Sequence, residues 1–363
     1  MRAARLGLIL ALGIPAALHA QSDRPSALVG AEFRSVTFGD GIGGVKSISE
    51  FAVPLGFTMP FSRRVSLDLG TYFVSATGKD VSDNSSDISG LTDVVARGVF
   101  QIKPDVAVLT LALNLPTGTA TLDTTQVTVV GATATDLIPF PVQNFGSGFN
   151  VTTGLALATP VGPWALGFAG SVRYNGEYEP FVGVDTSLQP GTEFRFRFGA
   201  DRLIGQGRFS LGVTYSNFTT DDFGSRPSVK GGSRIIPQLS WNVPLGTNNA
   251  VQFYAWDIYR NVPEDTISNL AKENTIALGA IMSIKTGRNT LRPLVEYRQA
   301  WKGPGGLQSN GTLFGVGARY AIAASSRFSV VPSVRFDFGS LPDAGVNKSY
   351  SGISGGLLLR TSF

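Results

Sequence analysis

Residues Ser354–Phe363 read SGGLLLRTSF, and counted in twos they separate into two faces. Ile353, Leu357, Leu359 and Phe363 share one parity, with small Gly355 and Thr361 between them. Ser354, Gly356, Leu358, Arg360 and Ser362 take the other. A period of two is the signature of a β-strand with one greasy face. A chain end is ordinarily frayed and polar, whereas here the strand pattern continues onto an aromatic ring.

The same alternation recurs upstream. In EFRFRFGADRL, Phe194, Phe196 and Phe198 alternate with Glu193, Arg195 and Arg197; in RFSVVPSVRFDFGS, Phe328, Val330, Val334, Phe336 and Phe338 oppose Ser329, Ser333, Arg335 and Asp337. These runs are about 10–14 residues long, roughly twice the usual strand of a soluble protein, and suit a tilted strand that crosses a bilayer. Tight turns such as IKPDV, IGQG and KTGRN alternate with longer polar connections such as GKDVSDNSSD, NFTTDDFGSRPSVKGG and RNVPEDTISNLAKEN. Short turns at one end and long loops at the other are expected of an outer-membrane barrel. The fold expected is therefore all-β: a transmembrane antiparallel barrel of sixteen strands, the first near residues 27–38 and the last near 349–363, with both termini periplasmic. Fourteen strands with an N-terminal segment inside the barrel is the alternative. The last strand must pair with the first, because lipid tolerates no open edge, and Phe363 then belongs to the periplasmic aromatic girdle.

Residues 1–20 have a basic start (Arg2, Arg5), an apolar run from Leu6 to Leu18, and small residues at Leu18-His19-Ala20. That order describes a secretory signal peptide, leaving residues 21–363 as the barrel. No later run of 18 or more apolar residues occurs, so no spanning helix is expected. The chain has no Cys, so it does without disulfides. Its formal charge of +4 includes Arg2 and Arg5, and no basic block marks a nucleic-acid surface. Its one His is His19, which leaves with the signal peptide. Catalysis by Cys or His, and the usual zinc and copper sites, lose their ligands. No enzyme activity, metal or cofactor is expected. GDGIGG (Gly39–Gly44) reads as a turn, and Asp80, Asp83 and Asp87 lack the spacing of a calcium loop.

What remains is a wall and a lumen. Candidate lumen-lining residues on the polar parity are Arg97, Arg173, Glu177, Arg195, Arg197, Arg292, Glu296, Arg298, Arg319, Arg335 and Asp337. Each could simply pair with a charge on the neighbouring strand. Together they describe a wet interior of mixed charge with arginine in excess.

The longest connection, Thr117–Gly146, is also the least charged, with only Asp123 and Asp136. Its Val127, Val129, Val130, Leu137, Ile138, Phe140 and Phe145 need cover, which makes them candidates for an apolar loop or lid. The connection joins strands five and six, where general porins carry their constriction loop. Two placements are open: over or in the lumen, or as a hairpin extending above the membrane.

Four phrases carry a family resemblance: Gly90-Leu91-Thr92-Asp93, Leu115-Pro116-Thr117-Gly118, Gly146-Ser147-Gly148 and Tyr174-Asn175-Gly176-Glu177-Tyr178. With them the chain resembles the outer-membrane proteins of the MetA-pathway (phenol-degradation) transporter family, itself similar to FadL-type barrels. The resemblance implies passage of small hydrophobic or aromatic molecules through the outer membrane. No FadL-like N-terminal plug with an Asn-Pro-Ala start is present, so the gating of that family is not implied. A last strand ending in Phe363 likewise resembles the signal read by the bacterial barrel-assembly machinery. The expected partners are outer-membrane lipid, that machinery and a small solute. The competing function is a general, weakly anion-preferring porin or a structural barrel.

Overall fold

The computed structural model describes residues 24–224, 226–262, 271–303 and 307–363. The expected signal peptide and its cleavage site lie outside the described residues. The chain opens with β1 (Ser26–Ile42), β2 (Val45–Pro60), β3 (Val65–Asp80), β4 (Ser85–Leu91), β5 (Val94–Lys103) and β6 (Ala107–Leu115). A helix, α1 (Thr124–Thr133), precedes β7 (Asn150–Val161), β8 (Trp164–Asn175), β9 (Glu193–Ile204) and β10 (Gly207–Phe218). A small hairpin, β11 (Thr220–Phe223) with β12 (Arg226–Lys230), tops the next connection. The wall is completed by β13 (Ser233–Leu245), β14 (Asn249–Asn261), β15 (Lys272–Thr286), β16 (Asn289–Gly303), β17 (Gln308–Ala323), β18 (Phe328–Asp343) and β19 (Val346–Ser362).

Seventeen strands form one sheet. β4 and β5 both pair with β3, Lys79↔Ser85 to Phe73↔Leu91 above and Gly70↔Val95 to Val65↔Phe100 below. They are two halves of one stave, so the wall has sixteen staves and the fourteen-strand alternative falls. The sheet closes on itself: β1 pairs β2 on one side and β19 on the other, from Ser26↔Ser362 to Thr37↔Ser351. The Phe363 amide donates to the Pro25 carbonyl at 2.9 Å, so the ladder continues to the last residue. Closure removes both of the edges that an open sheet would present to lipid.

Alternation then sets the two faces. Phe33, Phe51, Leu55, Phe73, Phe196, Phe336, Phe338, Leu357 and Phe363 are exposed on the outside, the apolar band that a bilayer requires. Their neighbours in sequence, among them Arg34, Glu50, Ala52, Val74 and Asp337, are buried on the inside. At the short-turn end, Gly162, Gly205, Gly246 and Gly287 each take a positive φ, between 57° and 71°. A Cβ there would meet nothing within 4 Å, so the need for glycine is conformational.

The loop end departs from expectation in three places. Of the stretch 78–87 only residues 81–84 form a tight turn, in which Asp80 accepts the amides of Ser82 and Asn84 at 2.8 and 2.9 Å, and β3 and β4 run into what was expected as loop. Residues 217–232 are largely the β11–β12 hairpin. The 117–146 insert contains a helix where an extended hairpin was the alternative.

Candidate functional site

The site starts at a break in one stave. Between β4 and β5, Thr92 and Asp93 leave the strand and are buried. The Asp93 carboxylate accepts the Gly118 amide at 3.0 Å through Oδ1, and the Ser147 amide at 2.7 Å and Asn114 Nδ2 at 2.9 Å through Oδ2. Thr117 Oγ1 donates to the Thr92 carbonyl at 3.0 Å and accepts the Val94 amide at 2.9 Å. One carboxylate therefore holds both feet of the insert. Gly118 is required by close approach, since a Cβ there would lie 2.2 Å from the Phe145 carbonyl oxygen and 2.7 Å from the Asp93 nitrogen. Gly176 donates to the Phe149 carbonyl at 2.7 Å, and Gly148 lies against Tyr178. The four glycine-bearing phrases, far apart in sequence, meet here.

From these feet the insert folds against the inner wall. α1 begins with a capping box: Asp123 accepts the Thr125 and Gln126 amides, and the Gln126 side chain returns the bond to the Asp123 amide. Leu137, Ile138 and Phe140 pack with Val36 and Phe38 of β1, Ile48 of β2, Ala300 of β16, Leu313 of β17 and Tyr350 of β19. Val129, Val142 and Phe145 pack with Ala52, Val74, Ala76 and Ile88, and Val130 flanks them. Val127 alone of the seven apolar candidates is exposed. Burying such side chains stabilises by roughly 1.5–3 kcal/mol each, so this packing is what holds the insert to the wall. Polar bonds fix its height: Glu50 Oε1 accepts the Val142 amide at 2.7 Å, and Arg298 donates to the Asp136 carbonyl at 2.8 Å. The Asp136 carboxylate pairs with Arg260, and the Arg34 guanidinium stacks on Phe140, 5.6 Å from the ring centroid.

Behind the insert runs a network of ion pairs. Asp337 accepts Arg34 at 2.7 Å and Arg335 at 2.8 Å; Glu296 accepts Arg335 at 2.8 Å and Arg298 at 3.0 Å. Tyr254 donates to Glu296 at 2.7 Å. Arg97 pairs with Asp68 at 2.7 Å. Arg292 and Arg319 face each other across β16 and β17 and are exposed, toward the short-turn end. Glu177 lies past the last residue of β8, exposed in the connection, so it is not on the wall. The period-two pattern continued there after the ladder had ended, Gly176 bonding to Phe149 instead. Asp93, Arg234 and Arg260 were not among the candidates. The cluster of glycine phrases around Asp93 was the signal that could have singled it out.

On the opposite side of the barrel the inner wall borders a cavity of about 440 Å³, which lies against β6–β10 and β13, with Arg173, Glu193, Arg195, Arg197 and Arg234 among its lining residues. Register aligns them: Arg195 stands opposite Ser216, Ser216 opposite Arg234, and Arg234 opposite Arg260. The insert's Asp136 takes the Arg260 end of this row, and the cavity takes the other. Space exists there because the inner positions of the staves are small: Gly154, Ala156, Ala169, Ser171 and Thr214. Among the described residues no group of His, Cys, Asp and Glu could hold a metal ion.

A closed antiparallel wall of sixteen staves, apolar outside and polar within, is the architecture of outer-membrane β-barrels. Among solved structures, the chain is similar to Pseudomonas putida OprB (high-pH structure) at a TM-score of 0.53 and 10% identity, over 94% of each chain. It also aligns with the CymD monoaromatic hydrocarbon channel (TM-score 0.47, 13% identity, 94% of this chain and 88% of that one). A third is a loop-deletion variant of OmpT, an outer membrane protein of Vibrio cholerae (TM-score 0.45, 10% identity, 93% and 98%). No family model matches the chain, and no curated protein matches it significantly. At these identities the likeness is one of fold.

Proposed function

We propose that this protein is an outer-membrane channel for the passive uptake of small molecules, in which the 117–146 insert narrows the lumen and small hydrophobic or aromatic compounds are the favoured solutes. One observation carries the reading: an apolar insert held at both feet by Asp93 lies against one inner wall and faces a cavity on the other. A structural barrel would have no need to keep that space open. The arginines of the cavity favour a second reading, a weakly anion-preferring porin. The residues that would set selectivity are the cavity arginines and the exposed Arg292 and Arg319. The insert would act as the constriction.

Replacing residues 122–143 with a short Gly/Ser link tests this. The barrel should still fold, sugar entry in liposome swelling should rise several-fold, and preference for a phenol over a sugar should vanish. Unchanged entry of both solutes would remove the insert from the permeation path. We further propose that Phe363, exposed at the end of β19, is read by the barrel-assembly machinery. Phe363→Asp should then leave unfolded precursor in the periplasm, and normal heat-modifiable migration would count against this.

A further inference from the structure

We propose that the cavity is a binding subsite for a small organic carboxylate, so that the channel's preferred solutes carry both an apolar body and a negative charge. This rests on the channel reading above and narrows it. Four arginines and one acid, Glu193, line the space. Glu193 is already shared: Arg195 grips it at 2.8 Å and Arg234 at 3.0 Å. Arg173 reaches Ser147 Oγ only at 3.5 Å, and its Nε is buried with no hydrogen-bond partner, as is Nε of Arg234. Arg197 reaches Gln238 at 3.4 Å. Asp201 attracts Arg197 and also pairs with Arg208. Four lining arginines against Glu193 and this shared Asp201 leave the cavity a positive surplus.

Guanidinium forks match a carboxylate in two parallel bonds, which a chloride ion cannot reproduce. The rest of the wall suits a hydrocarbon. Ala156, Ala169 and Ile236 border the space, and Phe218 presents a ring whose face already carries the Arg234 guanidinium at 5.7 Å. The volume falls in the range of small-molecule sites and exceeds what a bare inorganic ion fills. An aromatic carboxylate can place its charge among Arg173, Arg195 and Arg197 and its ring toward Phe218 and Ile236.

Titration calorimetry of the detergent-solubilised barrel with sodium benzoate tests the site without reference to transport. Saturable benzoate binding is expected, with benzyl alcohol, chloride and inorganic phosphate each at least tenfold weaker. Arg173→Gln and Arg197→Gln, which spare the Glu193 pairs, should each weaken benzoate at least tenfold. Ala169→Leu, which fills space without touching charge, should do the same, and heat-modifiable migration confirms that each variant is folded. Absent benzoate binding, equal competition by phosphate or chloride, or unchanged affinity in folded variants would each overturn the proposal. Planar-bilayer currents keep the two readings apart. Normal conductance without benzoate binding sinks the subsite and leaves the channel; binding without conductance does the reverse.

Discussion

Asp93 accepts the Ser147 amide at 2.7 Å across 54 residues of sequence, and its other oxygen takes Gly118 at 3.0 Å. The two ends of a long insert are thereby held by one side chain set into a gap in the wall. The wall does not depend on this carboxylate alone, because β3 pairs both pieces of the broken stave and β5 pairs β6.

Asp93→Ala should therefore loosen the two feet of the insert, whose middle is packed on the wall, and spare the barrel. Each buried amide left without its acceptor costs about 1–3 kcal/mol. Limited proteolysis should cut between residues 118 and 147 in the variant and not in the parent, while heat-modifiable migration stays unchanged. An uncut insert would mean that the apolar packing alone suffices.

Asp337 has the opposite character. It is fully buried and neutralises Arg34 and Arg335. Asp337→Ala takes this acid from the buried Arg34 and leaves the partly buried Arg335 with Glu296; removing one partner of a buried pair typically costs about 3–5 kcal/mol. The temperature at which the barrel unfolds on a gel should fall clearly, whereas Asp337→Asn, which keeps a hydrogen-bond acceptor, should lower it less. Equal effects of the two would show that charge is not what the site needs.

The start of α1 should be sensitive to acid. The Thr125 side-chain hydroxyl and the Gln126 and Thr125 amides hold the Asp123 carboxyl below the usual carboxylate range. A depressed folded value means that the cap's contribution is fully present above the ordinary carboxylate pKa and is lost as pH falls through the lowered one. Amide-exchange protection of residues 124–133, corrected for intrinsic rates, should be level from neutral pH to about pH 5 and decline below about pH 4. In Asp123→Asn the decline should disappear. A decline of the same size in that variant would assign the effect to another acid.

The stave count was legible because lipid enforces it: every second residue of a crossing strand must be apolar, and Phe194, Phe196, Phe336 and Phe338 comply. The insert's need for cover was legible in Leu137, Ile138 and Phe140. Which wall would cover them was not, since Val36, Phe38, Ile48, Leu313 and Tyr350 are inward residues on four different strands and no local period links them. The gap at Thr92–Asp93 was hidden for a similar reason. Its cause is a set of bonds to Thr117, Gly118 and Ser147, all distant in sequence. Glu177 was misplaced because alternation outlasted the ladder. The ion pairs of Glu296 and Asp337 needed register, which pairs Gly315 with both across β17 and brings their shared partner Arg335 between them.

The apolar cluster that receives Leu137, Ile138 and Phe140 is drawn from β1, β2, β16, β17 and β19, so it straddles the joint where the first and last strands meet. That half of the seat is complete only with the joint closed, whereas the half that takes Val129, Val142 and Phe145, on β2, β3 and β4, does not cross it. Once seated, the insert acts as a rivet: prising β1 from β19 would first require pulling Phe140 off Arg34 and its neighbours, so the bore and the seam are locked by the same event.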